Sequence, residues 1–334
     1  MKPVYSLIQA IRGLAALAVV YFHTAHAPSA GAFGVDVFFV LSGCIMAILM
    51  EAQPSPGDFL RRRLIRIVPL YALMTTAAFT VSLALPGLRT SGNLPSISDY
   101  IKSLLFIPSQ TGSGTIVPVL GPGWSLNYEM MFYAICAAAL FVGRRSAWIW
   151  TIALTSCLYL VAELFAAETI PGKFYGNPII FEFAAGIILW QIYQHVDYRA
   201  KNIASLAVIP ALLILLGILE FSSVNLPFLA GEWVRPIKLL LPATCLVAAG
   251  LLLEPAFIKL PMRIRSALVQ MGDASYAIYL AHIFVIGGVT VIGQRLGIGP
   301  SSEPFGCTLS LLLSVSAGVA LYRWIDRPIQ QKLR

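Results

Sequence analysis

The chain has 334 residues, of which 58% are apolar and only 11% charged, with a formal net charge of +8. Soluble domains carry roughly 25% charged residues, so this composition excludes a cytosolic globular enzyme and a disordered chain, and the mean hydropathy of +0.81 points the same way. What fits is an all-α polytopic membrane protein, a bundle of helices that satisfy their backbone groups within each segment.

Ten segments approach the ~20 apolar residues that a span needs. In chain order they are 7–26, 34–50, 67–85, 124–142, 147–167, 179–193, 203–219, 237–253, 274–293 and 305–324. Lys2 and Arg12, the apolar run 13–22 and Ala25-His26-Ala27 resemble a signal peptide. Because the rest of the chain is itself membrane-like, that run is read as the first helix. No repeat and no soluble insert interrupts the pattern, so residues 1–334 read as a single transmembrane domain. The longest connection, 86–123, has an amphipathic patch at 99–107 and is expected to fold over one mouth of the bundle.

With the N-terminus placed in the cytoplasm, sixteen Lys and Arg fall in inner connections and six in outer ones. That bias predicts about ten spans with both termini cytoplasmic. The positive charge is then topological, and no nucleic-acid partner is expected. The five cysteines (Cys44, Cys136, Cys157, Cys245, Cys307) show no metal-ligand spacing, so no metal is expected.

Ionisable residues inside apolar segments cost several kcal/mol and mark function by default. Arg12 and His23 are eleven residues apart in the first segment. Eleven steps of 100° make three turns plus about 20°, so the two share a helix face, ~16 Å apart along the axis. The spacing puts a cation towards the cytoplasm and a titratable base towards the outer leaflet. Asp36, in the second segment, is placed to face His23 across the hairpin and to hold its tautomer, as an acid partner does in a triad. In the third segment Arg63 and Arg66 share a face and match bidentate recognition of phosphate. Glu129 falls at the outer start of the fourth segment, after Trp124 and Tyr128. His282 lies within the ninth, and Asp326 follows the tenth. His26 reads as a bystander at the interface.

Taken together, Arg12 with His23, the stretch 34–43, the RxxR of Arg63 and Arg66, and the stretches 124–129 and 275–282 resemble the motif blocks of the acyltransferase-3 family of integral membrane O-acyltransferases. The opening 8–17 is similar to its exopolysaccharide-acetylating branch. Cys44 stands where an aromatic often follows Ser-Gly, Met130 where a second acid is common, and Asp326-Arg327-Pro328 where a Glu is usual.

The resemblance implies an acyl-CoA-dependent O-acetyltransferase of the bacterial inner membrane. An acyl group, usually acetyl, would pass from cytoplasmic acetyl-CoA to a hydroxyl of an exported or cell-envelope carbohydrate. His23 is then the catalytic base, and Arg12, Arg63 and Arg66 are donor-side residues. Asp36 or Glu129 partners His23. Trp124, Tyr128, His282 and the hydroxyl-rich stretch 109–113 are expected on the acceptor side. Direct attack by the hydroxyl and an acetyl-histidine intermediate both remain open. A carrier of lipid-linked saccharides is the alternative that composition alone allows; it gives no reason for the alignment of Arg12 with His23.

Overall fold

A computed structural model describes residues 5–25, 33–84, 94–110, 114–197, 201–202, 234–296 and 303–333. Among these residues the regular structure is helical, joined by turns and short loops, with an isolated antiparallel bridge between Gln110 and Ile116. In chain order the helices are α1 (Ser6–Ala25), α2 (Phe33–Met50), α3 (Pro56–Ala84), α4 (Ile97–Leu104), α5 (Trp124–Val142), α6 (Ala147–Phe165), α7 (Ile170–Tyr175), α8 (Phe181–His195), α9 (Val234–Leu252), α10 (Glu254–Phe257), α11 (Met262–Asp273), α12 (Ser275–Leu296), α13 (Pro304–Leu321) and α14 (Arg327–Leu333). A π-helical turn, Tyr322–Asp326, links the last two.

Among the described residues, seven helical segments are long and apolar enough to cross a membrane: α1, α2, α3, α5, α6, α12 and the run Pro304–Leu333. The expected segment 179–193 corresponds to α8, whose 15 residues extend only ~22 Å at 1.5 Å per residue. The expected segment 237–253 lies in α9, whose apolar part, Lys238–Leu252, is also short. The segment 203–219 and His26 lie outside the described residues. The third helix starts at Pro56, eleven residues before the apolar run expected from 67. Ser55 explains this: its Oγ accepts from the Asp58 amide at 3.1 Å and donates to the Asp58 carboxylate at 2.7 Å. With Pro56 at the first helical position, this is an N-terminal cap. The arginine run is therefore helical, and Arg63 and Arg66 have a fixed face.

The chain forms two compact units: residues 1–48 with 181–322, and residues 49–180 with 323–334. In the first unit, α1 packs against α9, α11, α12 and α13. Its core gathers Ala16, Val20, Ala274 and Ile278, with Phe38, Met271 and Leu311 against them. Small residues let the backbones approach closely, as membrane helices favour. A Cβ on Gly272 would stand 1.9 Å from the Gln9 carbonyl oxygen, and Cβ atoms on Gly43 and Gly186 would stand 2.0 Å from the carbonyl oxygens of Phe183 and Val40. The start of α1 is held from α10: the Glu254 carboxylate accepts from the amides of Ser6 and Leu7, both at 2.7 Å.

In the second unit, α3 packs against α4, α5 and α14. Tyr71, close to the midpoint of α3, stacks on Phe106 with ring centroids 4.6 Å apart. A Cβ on Gly123 would stand 2.8 Å from the same tyrosine ring. Further along α3, Phe79 stacks on Tyr100 of α4 at 4.7 Å. The connection thus follows α3 back to half its length, and α5 begins there. Of the expected connection 86–123, the described stretches 94–110 and 114–123 lie alongside α3, pinned by aromatic stacking and by the Val119 amide donating to Ser103 Oγ at 2.9 Å.

Candidate active site

The first unit brings two histidines into contact. His23, in the last turn of α1, lies with its ring centroid 4.8 Å from that of His282 on α12, at an interplanar angle of 61°. Each Nδ1 meets a backbone carbonyl of its own helix: His23 that of Val19 at 2.9 Å, and His282 that of Tyr279 at 2.6 Å. A carbonyl only accepts, so in each of these contacts Nδ1 is the nitrogen that carries the proton. The two rings differ in access. His23 is exposed, whereas His282 is completely buried and its Nε2 has no hydrogen-bond partner. The pair therefore presents one imidazole outwards with a second directly behind it.

The other sequence-chosen residues of this unit surround the middle and lower part of α1. Arg12 is half-buried and donates to Gln9 Oε1 at 3.1 Å. Asp36 is fully buried in the first turn of α2. Two residues before it, Gly34 presses on the Ala15 carbonyl and the Val19 side chain. Asp36 is thereby held on a helix that touches α1 below His23.

The second unit holds a separate polar centre. Arg63 and Arg66 are half-buried, on the face of α3 that also buries Phe59, Ile67, Leu70 and Tyr71, whereas Arg61 and Arg62 are exposed. Tyr133 of α5, itself buried, donates to Glu129 Oε1, and the charges of Arg63 and Arg66 act on the same phenol. Arg66 also acts on Asp326, which accepts from Gln330 Nε2 at 2.9 Å. A carboxylate, a phenol and two guanidinium groups thus share one neighbourhood. Glu129 was expected at an outer helix start, away from these arginines. The mid-length origin of α5 brings it to them instead. Tyr133 was not singled out from the sequence; its i+4 spacing from Glu129 was the available signal.

The expected acceptor-side aromatics lie in the same unit. Tyr128 is buried, stacks on Phe174 at 4.2 Å and donates its hydroxyl to the Phe174 carbonyl. Trp124 meets Tyr128 edge-on at 6.0 Å. Ser109 is buried, and positions 111–113 lie outside the described residues.

The chain is thus a helical, apolar body that carries a histidine pair in one unit and a guanidinium cluster in the other. The family profile described as an acyltransferase domain matches residues 6–323, and the chain belongs to this acyltransferase-3 family. The exopolysaccharide production protein ExoZ of Rhizobium meliloti (strain 1021) is 35% identical over 319 residues, covering 93% of this chain and 93% of that protein. The acyltransferase MdmB of Streptomyces mycarofaciens is 28% identical over 339 residues, covering 92% and 83%. The peptidoglycan O-acetyltransferase OatA of Listeria monocytogenes is 26% identical over 315 residues, covering 84% of this chain and 49% of that protein. No solved structure matches.

Proposed function

We propose that this protein transfers an acyl group, acetyl in the first instance, from cytoplasmic acyl-CoA to a hydroxyl of an exported or cell-envelope carbohydrate. The observation that carries this reading is the histidine pair, with each Nδ1 at a backbone carbonyl of its own helix, His282 buried and His23 exposed beside it. Acyl transfer to an alcohol needs a base of this kind. His23 Nε2 takes the proton of the acceptor hydroxyl, the alkoxide oxygen attacks the thioester carbonyl, the C–S bond breaks, and the CoA thiolate leaves with the proton. Arg63 and Arg66 hold the phosphates of the donor, because a planar guanidinium pairs with phosphate oxygens bidentately. Arg12 adds a third cation on the donor side. Asp36 supplies negative charge near α1, and Glu129, held by Tyr133, orders the guanidinium groups. Trp124, Tyr128 and His282 belong to the acceptor side.

The same reading places the protein in the bacterial inner membrane with about ten spans and both termini cytoplasmic. The sixteen-to-six bias of Lys and Arg supports this. The protein's 35% identity to an exopolysaccharide production protein supports a polymeric or lipid-linked saccharide as acceptor.

The test compares the glycans of the native strain with those of a deletion strain by NMR. The expected result is a polymer of normal length that lacks its ester-linked acyl groups. Loss of the polymer itself points instead to a carrier and contradicts the proposal.

A further inference from the structure

We infer that a groove between the first turns of α3 and the end of α14 holds an anionic phospholipid, its phosphate on Arg61 and its first methylenes on the apolar lining. This goes beyond acyl transfer and does not depend on it. The sequence sets the face. Gly57, Leu60, Arg61, Leu64 and Ile65 follow the spacing i, i+3, i+4, i+7, i+8, which is one side of a helix. With Leu333 of α14 they line a cavity of about 400 Å³, within the roughly 300–1,000 Å³ of ligand sites. At 100° per residue, Arg63 and Arg66 stand about 200° and 140° around α3 from Arg61. The groove is therefore a different surface from the one that carries the candidate donor-side arginines.

The chemistry of the lining selects the occupant. Arg61 Nη2 donates to the Leu333 carbonyl oxygen at 3.0 Å. A guanidinium has five N–H donors, so this contact fixes the group at the groove and leaves donors for a phosphate. Arg61 is exposed. The acid nearest to it on this stretch of α3, Asp58, is engaged by Ser55 Oγ at 2.7 Å. The rest of the lining is apolar, with Leu60, Leu64 and Ile65 half-buried and Leu333 exposed. A Cβ on Gly57 would meet nothing within 4 Å, so the groove has room at that end. A free anion would satisfy Arg61 and leave the leucines wet, whereas a phospholipid covers both. Depth agrees with this. The 29 residues of α3 extend ~43 Å at 1.5 Å per residue, against a hydrocarbon core of ~30 Å. All its charges fall between Asp58 and Arg66, so that end projects into the headgroup layer, where lipid phosphates lie. Exposed Arg62 and Lys332, next in sequence to two lining residues, favour an anionic headgroup over a zwitterionic one.

The test titrates purified full-length protein in detergent with phosphatidylglycerol, phosphatidylcholine or inorganic phosphate, and reads bound ligand by native mass spectrometry. Wild type should bind phosphatidylglycerol about tenfold more tightly than phosphatidylcholine, as one charge-assisted contact allows, and should show no inorganic phosphate complex. Gly57→Leu fills the groove and leaves every charge in place; it should weaken phosphatidylglycerol about tenfold. Arg61→Gln should remove the preference between the two lipids. Both positions are exposed, so folded yield by size exclusion should match wild type. Equal binding of the two lipids by wild type overturns the inference, and that comparison needs no variant. Unchanged phosphatidylglycerol binding in Gly57→Leu places the lipid elsewhere and also overturns it. Inorganic phosphate bound as tightly as the lipid would show a simple anion site instead.

Discussion

The carboxylate of Glu254 closes on the backbone amide of Ser6 at 2.7 Å, across 248 residues of sequence. Its second oxygen takes the Leu7 amide at the same distance. The first N–H groups of a helix have no partner within the helix, and an anion there also meets the positive end of the helix dipole. One side chain therefore fixes the start of the helix that carries Arg12 and His23. Replacing Glu254 with Ala should lower stability by about 2–3 kcal/mol, the range for charge-assisted bonds to a buried partner. Thermal unfolding in detergent reads this directly. A midpoint unchanged from wild type would show that α1 is anchored elsewhere.

The close helix crossings make a sharper contrast. At Gly272 an added methyl would stand 1.9 Å from the backbone oxygen of Gln9, whereas at Gly288 it would meet nothing within 4 Å. Gly272→Ala has to push α11 away from α1 and should abolish folded yield or shift the unfolding midpoint down strongly. Gly288→Ala should be neutral, or stabilising by about 0.5–1 kcal/mol through helix propensity. Equal behaviour of the two variants in size-exclusion yield would contradict the packing described for α1.

Arg63 and Arg66 differ from Arg61 and Arg62 in facing the interior of their unit. The double variant Arg63→Ala with Arg66→Ala should raise the KM for acetyl-CoA by about 10–100-fold, corresponding to one or two charge-assisted contacts. The control pair, Arg61→Ala with Arg62→Ala, should change it by less than about threefold, as exposed charges contribute little. An unchanged KM in the first pair removes these arginines from donor binding.

Tyr133 donates to Glu129 from a fully shielded position beside the two guanidinium groups. Tyr133→Phe deletes that donor with little change in volume. Turnover should fall by about tenfold while the folded yield stays normal, as one hydrogen bond to a charged group is lost. Wild-type turnover in this variant would mean that Glu129 is ordered without it.

Much of this was legible in the sequence, and the misses have physical causes. The motif residues His23, Arg63, Arg66, Glu129 and His282 all drew notice because ionisable groups stand out in apolar segments. The contact between His23 and His282 did not, since helical periodicity relates residues along one helix and says nothing about which helices meet. The neighbourhood that Glu129 shares with Arg63 and Arg66 was not legible because a linear reading starts each span at a membrane face, whereas α5 starts beside Tyr71, halfway along α3. The true start of α3 was carried by Ser55 and Asp58, a capping pair that hydropathy alone does not register. The pairing of Glu254 with the start of α1 has no local signature at all.

The central claim, that His23 is the base for acyl transfer to a carbohydrate hydroxyl, is tested most directly by following labelled acetyl from acetyl-CoA into the polymer. Membranes holding the wild-type protein should place label in alkali-labile esters on the carbohydrate. Membranes holding equal amounts of folded His23→Ala should do so about 10²–10⁴-fold more slowly, the usual contribution of a positioned general base. Label incorporated at the wild-type rate by His23→Ala would contradict the account.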